Sequence, residues 1–210
     1  MKPVIIINFK TYKKGKDVVR LAKSAEKINK NIIIGVSPVD IKNVVEATSL
    51  RVYSQHVDYY EPGRYTGYII PEAVKAAGAK GCFLNHSEHK LDFKIIKKTI
   101  ERCRKIGLKT AVFAANLKEA KNIEKLKPDY LIVEPPELVA GNVSVSDAKP
   151  EFIKKIADNL KSNFIVGAGI KTGKDVKKAL ELGAKGIAVS SAVTKAKKPE
   201  NVLKDFSYFN

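Results

Sequence analysis

The chain has no tryptophan, one methionine and only two cysteines among its 210 residues. A single pair, Cys82 and Cys103, cannot make a disulfide framework. Neither belongs to a CxxC motif or a Cys/His cluster, so the sequence offers no metal site. Cys82 falls in an apolar run and Cys103 in a basic helical segment, the setting of buried, inert thiols. No apolar stretch approaches the ~20 residues of a membrane helix. The opening run stops at Asn8 and Lys10, too short and wrongly flanked for a secretory leader. A soluble, cytoplasmic protein is expected. Linkers, repeats and low-complexity segments are also lacking.

Acidic residues are in deficit. The chain carries 39 Lys and Arg against 22 Asp and Glu, a net charge of +17. Such a balance raises nucleic acid as a partner. Yet the bases are dispersed on the polar sides of helical segments, as at Lys94, Lys97, Lys98, Arg102, Arg104 and Lys105. Acids are interspersed, and there is neither a basic tail nor an interleaved aromatic platform. Solvated helix faces are the reading, with no nucleic acid and no membrane as partners. A positive field would help attract a phosphorylated substrate.

What is present is 44% hydrophobic content, arranged as short runs rich in Ile and Val. They are 4–7, 32–36, 52–54, 81–84, 110–113, 130–133, 164–167 and 186–189. They are continuous rather than alternating, as strands buried on both faces of a parallel sheet should be. Helical spacing fills the intervals. Asp17 to Lys30 has apolar residues at 18, 21, 22, 25 and 28, and Asp92 to Lys105 at 93, 96, 100 and 103. Asp17 and Asp92 are candidate N-caps. Thr172 to Asp175 opens another helix, which Gly183 stops. Residues 55–71 read as an elaborate loop. Eight strand–helix units over residues 1–210 predict a single-domain (β/α)8 barrel, compact, with some helices short or missing. The competing layout is an open doubly wound sheet.

In such a barrel the loops after the strands converge on one face. Three strand ends then matter together. Asn8-Phe9-Lys10 follows the first run, Asn85-His86-Ser87-Glu88 the fourth, and Glu134-Pro135-Pro136 the sixth. The prolines force the chain out of its ladder just after Glu134. A carboxylate and an imidazole facing each other can serve as base and acid on adjacent carbons. A fixed ammonium can neutralise phosphate or a developing oxyanion. Gly167-Ala168-Gly169 after the seventh run, with the following helix N-terminus, and Ser190-Ser191 after the eighth form a candidate phosphate cradle. A dinucleotide fingerprint fails on spacing, since the third glycine is Gly173. Small residues at 139–142, between Pro136 and Pro150, suggest a loop that closes over a ligand. Asn85-His86-Ser87 and Asn142-Val143-Ser144 are chance matches to the glycosylation pattern.

Taken together, these motifs resemble those of the triosephosphate isomerase family. Asn8-Phe9-Lys10 is similar to its N-x-K, His86-Ser87-Glu88 to its H-S-E, and Glu134-Pro135 to the E-P that opens its mobile loop. Gly63 to Gly67 resembles the loop that reaches into a neighbouring subunit. The likeness spans essentially the whole chain. Its length, Gln55-His56-Val57-Asp58 and Gly167-Ala168-Gly169-Ile170 resemble the archaeal branch, which implies a homotetramer more than a dimer. By that resemblance Glu134 moves a proton between substrate carbons and His86 polarises the carbonyl as a neutral imidazole, the pairing already known for the family. Lys10 binds substrate and stabilises an enediolate. Asn8, Phe9, Val139, Gly169, Ser190 and Ser191 bind the phosphorylated triose, while Glu88 and Thr66 support the site. No metal or other cofactor is implied. The loop departs from the family in carrying Ala140-Gly141-Asn142. A sugar-phosphate epimerase on the same barrel is the alternative activity, but it does not predict Lys10, His86 and Glu134 together.

Overall fold

The computed structural model describes residues 3–139 and 144–207. The Ala140-Gly141-Asn142 expectation therefore lies outside the described residues. Eight strands form a closed barrel: β1 (Val4–Asn8), β2 (Ile33–Val36), β3 (Arg51–Ser54), β4 (Gly81–Leu84), β5 (Lys109–Ala114), β6 (Tyr130–Val133), β7 (Phe164–Gly167) and β8 (Gly186–Val189). All neighbours run parallel, and β1 pairs with β8 to close the ring, from Val4 opposite Gly186 to Ile7 opposite Val189. Closure removes the sheet edges that an open doubly wound layout would leave. Each predicted run falls within one residue of its strand at either end.

Every strand is followed by helix. The helices are α1 (Lys16–Ile28), α2 (Ile41–Ala47), α3 (Pro71–Ala76), α4 (Phe93–Lys105), α5 (Leu117–Glu124), α6 (Val145–Ala148), α7 (Pro150–Asn159), α8 (Gly173–Glu181), α9 (Ser191–Thr194) and α10 (Pro199–Ser207). The expected economy takes the form of short helices such as α3 and α9, with none missing. Two capping expectations need correction. Gly15, not Asp17, caps α1, and Asp17 lies in its first turn, where its charge suits the helix dipole. Asp92 does precede α4, but its side chain makes no capping hydrogen bond.

Strand parity organises the interior. Successive side chains point to opposite faces. One residue or more from each strand fills the barrel: Ile6, Ile33, Tyr53, Phe83, Ala111, Phe113, Ile132, Ile165 and Ala188. Their neighbours Ile5, Ile7, Cys82, Leu84, Val112, Leu131, Val133 and Ile187 pack outward against the helices. Bulk inside is balanced by glycine. A Cβ at Gly35 would overlap the Phe83 ring. The wall is therefore apolar on both faces, which is why the runs are continuous. Counting on by two from Ile6, Ile132 and Ala188 puts Asn8, Glu134 and Ser190 at the barrel mouth.

Candidate active site

The mouth holds a pocket lined by Asn8, Lys10, His86, Glu134, Val139, Gly169, Ser190 and Ser191, with Tyr12 and Phe113 in its wall. Six strand exits contribute, and the three candidate chemical groups meet there. Glu134 Oε2 lies 3.3 Å from His86 Nε2, and both side chains are about one-tenth exposed. That oxygen makes no hydrogen bond of acceptable geometry within the protein. Burying an unpartnered carboxylate oxygen is costly, so its setting suits an incoming ligand.

The imidazole is held from two directions. The Glu88 N–H donates to His86 Nδ1 at 3.1 Å. A nitrogen that accepts carries no proton, so the neutral ring has its hydrogen on Nε2, facing the pocket. The ring makes a T-shaped pair with Phe113, 4.8 Å between centroids and tilted by 76°. Glu88 also takes a hydrogen bond from Lys10 Nζ at 2.6 Å, and its other oxygen is 3.8 Å from His86 Nδ1. Its own side chain is 57% exposed, so it supports the site from the rim.

Lys10 sits in left-handed backbone, φ 47°. Three hydrogen bonds hold it there. Its N–H donates to Asn8 Oδ1 at 3.0 Å, and Gln55 Nε2 donates to the Lys10 carbonyl at 2.9 Å and to Asn8 Oδ1 at 3.3 Å. Non-glycine residues in this region are uncommon and gather where function requires them. Asn85 and Ala168, φ 61° and 84°, are two more, again just past strand ends at the mouth.

The phosphate side is partly as expected. Gly169, Ser190 and Ser191 line the pocket, and the buried Ser190 Oγ has no hydrogen-bond partner. The N-terminus of α8 does not contribute. Thr172 and Asp175 form a capping box, Asp175 also accepts from the Lys171 N–H, and Asp205 accepts from the Gly173 N–H at 2.6 Å. Those amides are already satisfied, so α8 is corrected as an anion site.

One further expectation is corrected. Phe9 is 1% exposed and packs in the outer core, because parity turns it away from Asn8 and from the pocket. Thr66 lies in the exposed loop 61–68, away from this chain's own pocket, where a loop directed at a neighbouring subunit would stand. Tyr12, Phe113 and Gln55 were not foreseen. Phe113 was open to discovery, since it ends an apolar run on the inward parity. Gln55 gave no signal beyond its place after β3. Among the described residues, no group of three or more His, Cys, Asp or Glu could hold a metal ion.

A family model described as triosephosphate isomerase matches residues 3–206. The triosephosphate isomerase of Saccharolobus solfataricus is 45% identical, over 97% of this chain and 94% of its own length. That of Methanocaldococcus jannaschii is 40% identical, over 98% and 99%. That of Sulfolobus acidocaldarius is 42% identical, over 97% and 93%. Barrel, pocket and likeness agree over the same residues, and the chain belongs to the triosephosphate isomerase family.

Proposed function

We propose that this protein interconverts glyceraldehyde 3-phosphate and dihydroxyacetone phosphate, with Glu134 as base, His86 as electrophile and Lys10 as the fixed cation. The observation that carries the reading is the buried, unpartnered Glu134 Oε2 opposite His86 Nε2 in the same pocket. The reaction moves one proton between adjacent carbons and is redox-neutral. Glu134 removes a proton from the carbon beside the carbonyl. The Nε2–H of His86 donates to the carbonyl oxygen as charge develops there, and afterwards passes protons between the two oxygens. Lys10, its side chain one-tenth exposed, offsets the enediolate charge. Gly169, Ser190 and Ser191 bind the phosphate through backbone N–H groups, with the Ser190 hydroxyl beside them.

This activity belongs to glycolysis and gluconeogenesis, and the cytoplasm is its expected place. A homo-oligomer, tetramer before dimer, suits the exposed Tyr65, Tyr68 and Phe93, each more than two-fifths exposed. Light scattering on purified protein tests it, and a monomer would refute it.

The functional test is isomerisation of glyceraldehyde 3-phosphate without added metal or cofactor, by wild type, Glu134→Asp and His86→Gln. Shortening the carboxylate arm by one methylene moves it by ~1 Å, enough to lose about 100-fold in turnover. Substrate binding is expected to change little. A well-folded wild type with no conversion would refute the activity, and full turnover in Glu134→Asp would remove that residue from the base role.

A further inference from the structure

We propose that Asn85 and Glu119, neither of which lines the pocket, are positioning residues that fix the attitude of the His86 ring. The proposal rests on the catalytic role given to His86 above. Asn85 immediately precedes His86, is 1% exposed, and adopts left-handed backbone with φ 61°. Its side-chain amide is fully engaged. Nδ2 donates to the Phe113 carbonyl at 2.8 Å and to Glu119 Oε1 at 2.7 Å, and Oδ1 accepts from the Leu91 N–H at 3.0 Å. The same Phe113 whose carbonyl it holds packs its ring against His86 in a T-shaped pair. Asn85 therefore ties together the backbone before the imidazole, the ring beside it and the end of the turn that follows it.

Glu119 is the anchor of this tie. It stands in the first turn of α5, on a different strand–helix unit from His86. Besides Asn85, its carboxylate accepts from Lys90 Nζ at 2.5 Å and from the Ala115 N–H at 2.6 Å. Burial alone would raise its pKa, but the Ala115 amide, Lys90 and Asn85 outweigh it and hold the group below the ordinary carboxylate range. The ionised form is thus the one built in. One carboxylate binds donors from both sides of the β4–β5 seam, Asn85 and Lys90 after β4 and Ala115 after β5. Nothing in the isomerase chemistry calls for a charge there, whereas a ring that must present Nε2 at hydrogen-bond distance needs its support fixed. An imidazole displaced by ~1 Å loses much of its effect on the barrier.

The test uses Asn85→Gly, which keeps the left-handed backbone and deletes only the amide, and Glu119→Gln, which keeps the shape and removes the charge. We expect kcat to fall about tenfold or more in each, with KM within about twofold, by the misplacement argument above. In a His86→Gln background Asn85→Gly should add less than about twofold, because residues acting through one group are not additive. The chain has only three histidines, so the His86 ring signals can be followed by NMR. They should shift in Asn85→Gly. Wild-type kcat in both variants, an equal loss in the His86→Gln background, or unmoved His86 signals would each overturn the proposal. If wild type converts no triose phosphate, the functional reading fails, and the ring signals still decide whether Asn85 positions the imidazole.

Discussion

Gly167 leaves the space that Glu134 occupies. The strand β7 backbone passes so close to the carboxylate that a Cβ at Gly167 would overlap Glu134 Oε1. The nearest obstruction is the far end of a side chain, which can swing away, and the Ala188 carbonyl at 3.3 Å need give only a few tenths of an ångström, so the fold tolerates the change while the base does not. Gly167→Ala should keep its melting temperature within a few degrees and lose about 100-fold in kcat, the scale of a ~1 Å misplacement. Thermal denaturation and turnover measured on one preparation check this, and equal turnover would refute it.

The two amide hydrogens of Gln55 are shared among three oxygens: the carbonyls of Lys10 and Gly35 and Asn8 Oδ1. Gln55→Glu would set a carboxylate against three acceptors at almost unchanged volume. The unsatisfied contacts should cost about 1–3 kcal/mol of stability. Lys10 would lose the bond that holds its left-handed turn, so substrate affinity should fall as well. Denaturant melts and KM measure the two effects, and a variant unchanged in both would show that Lys10 holds itself.

Asp175 predicts an acid limb. Burial by itself would raise its pKa, but the Lys171 and Thr172 amides and the Ser144 and Thr172 hydroxyls overrule it and leave the pKa lowered. A group titrating lower in the folded state than in the unfolded one stabilises the fold above its unfolded value. That stability is present above about pH 4 and is lost as pH falls through the folded value. Asp175→Asn should therefore be less stable at neutral pH by about 1 kcal/mol, the usual worth of a cap. Its stability should also fall less steeply as pH drops below about 4. Parallel acid limbs for the two proteins would contradict the assignment.

Cys82 and Cys103 bring their sulfurs to 3.8 Å, both wholly buried, between β4 and α4. The Cys103 thiol beside it and the loss of solvent push the Cys82 pKa well up. Thiolate is the reactive form, so a thiol reagent should label neither residue in native protein and both in denaturant. Rapid native labelling would show that the barrel wall opens at this seam.

Much of this was open to a reader of the sequence. Continuous apolar runs gave each strand to within a residue, because a wall buried on both faces leaves no polar alternation to blur the ends. Glu134, His86 and Lys10 were visible because a charged or polar residue at the end of such a run must leave the core. Phe9 was misplaced for the same reason: continuous apolarity conceals parity, and only the polar Asn8 marks which face looks inward. The occupied N-terminus of α8 was not legible at all. Its amides are satisfied by Asp175 nearby but also by Asp205, 32 residues farther along the chain. Gln55 escaped notice because its hydrogen bonds reach 45 and 47 residues away.

Lys10, Asn85 and Ala168 hold the left-handed backbone at the mouth of the barrel, and this divides the molecule for anyone seeking to harden it. A non-glycine residue in that conformation gives up about 1 kcal/mol. Glycine at Lys10 or Ala168 would recover part of that and make the folded chain easier to keep, whereas at Asn85 it would also strip the Leu91 N–H and the Phe113 carbonyl of their buried partner. Each such gain would be drawn from the rim where the chemistry is proposed to happen. Consensus-style stabilisation should therefore succeed on the helices and the closed lower end, and fail at these three exits, where a tougher protein would be a slower one.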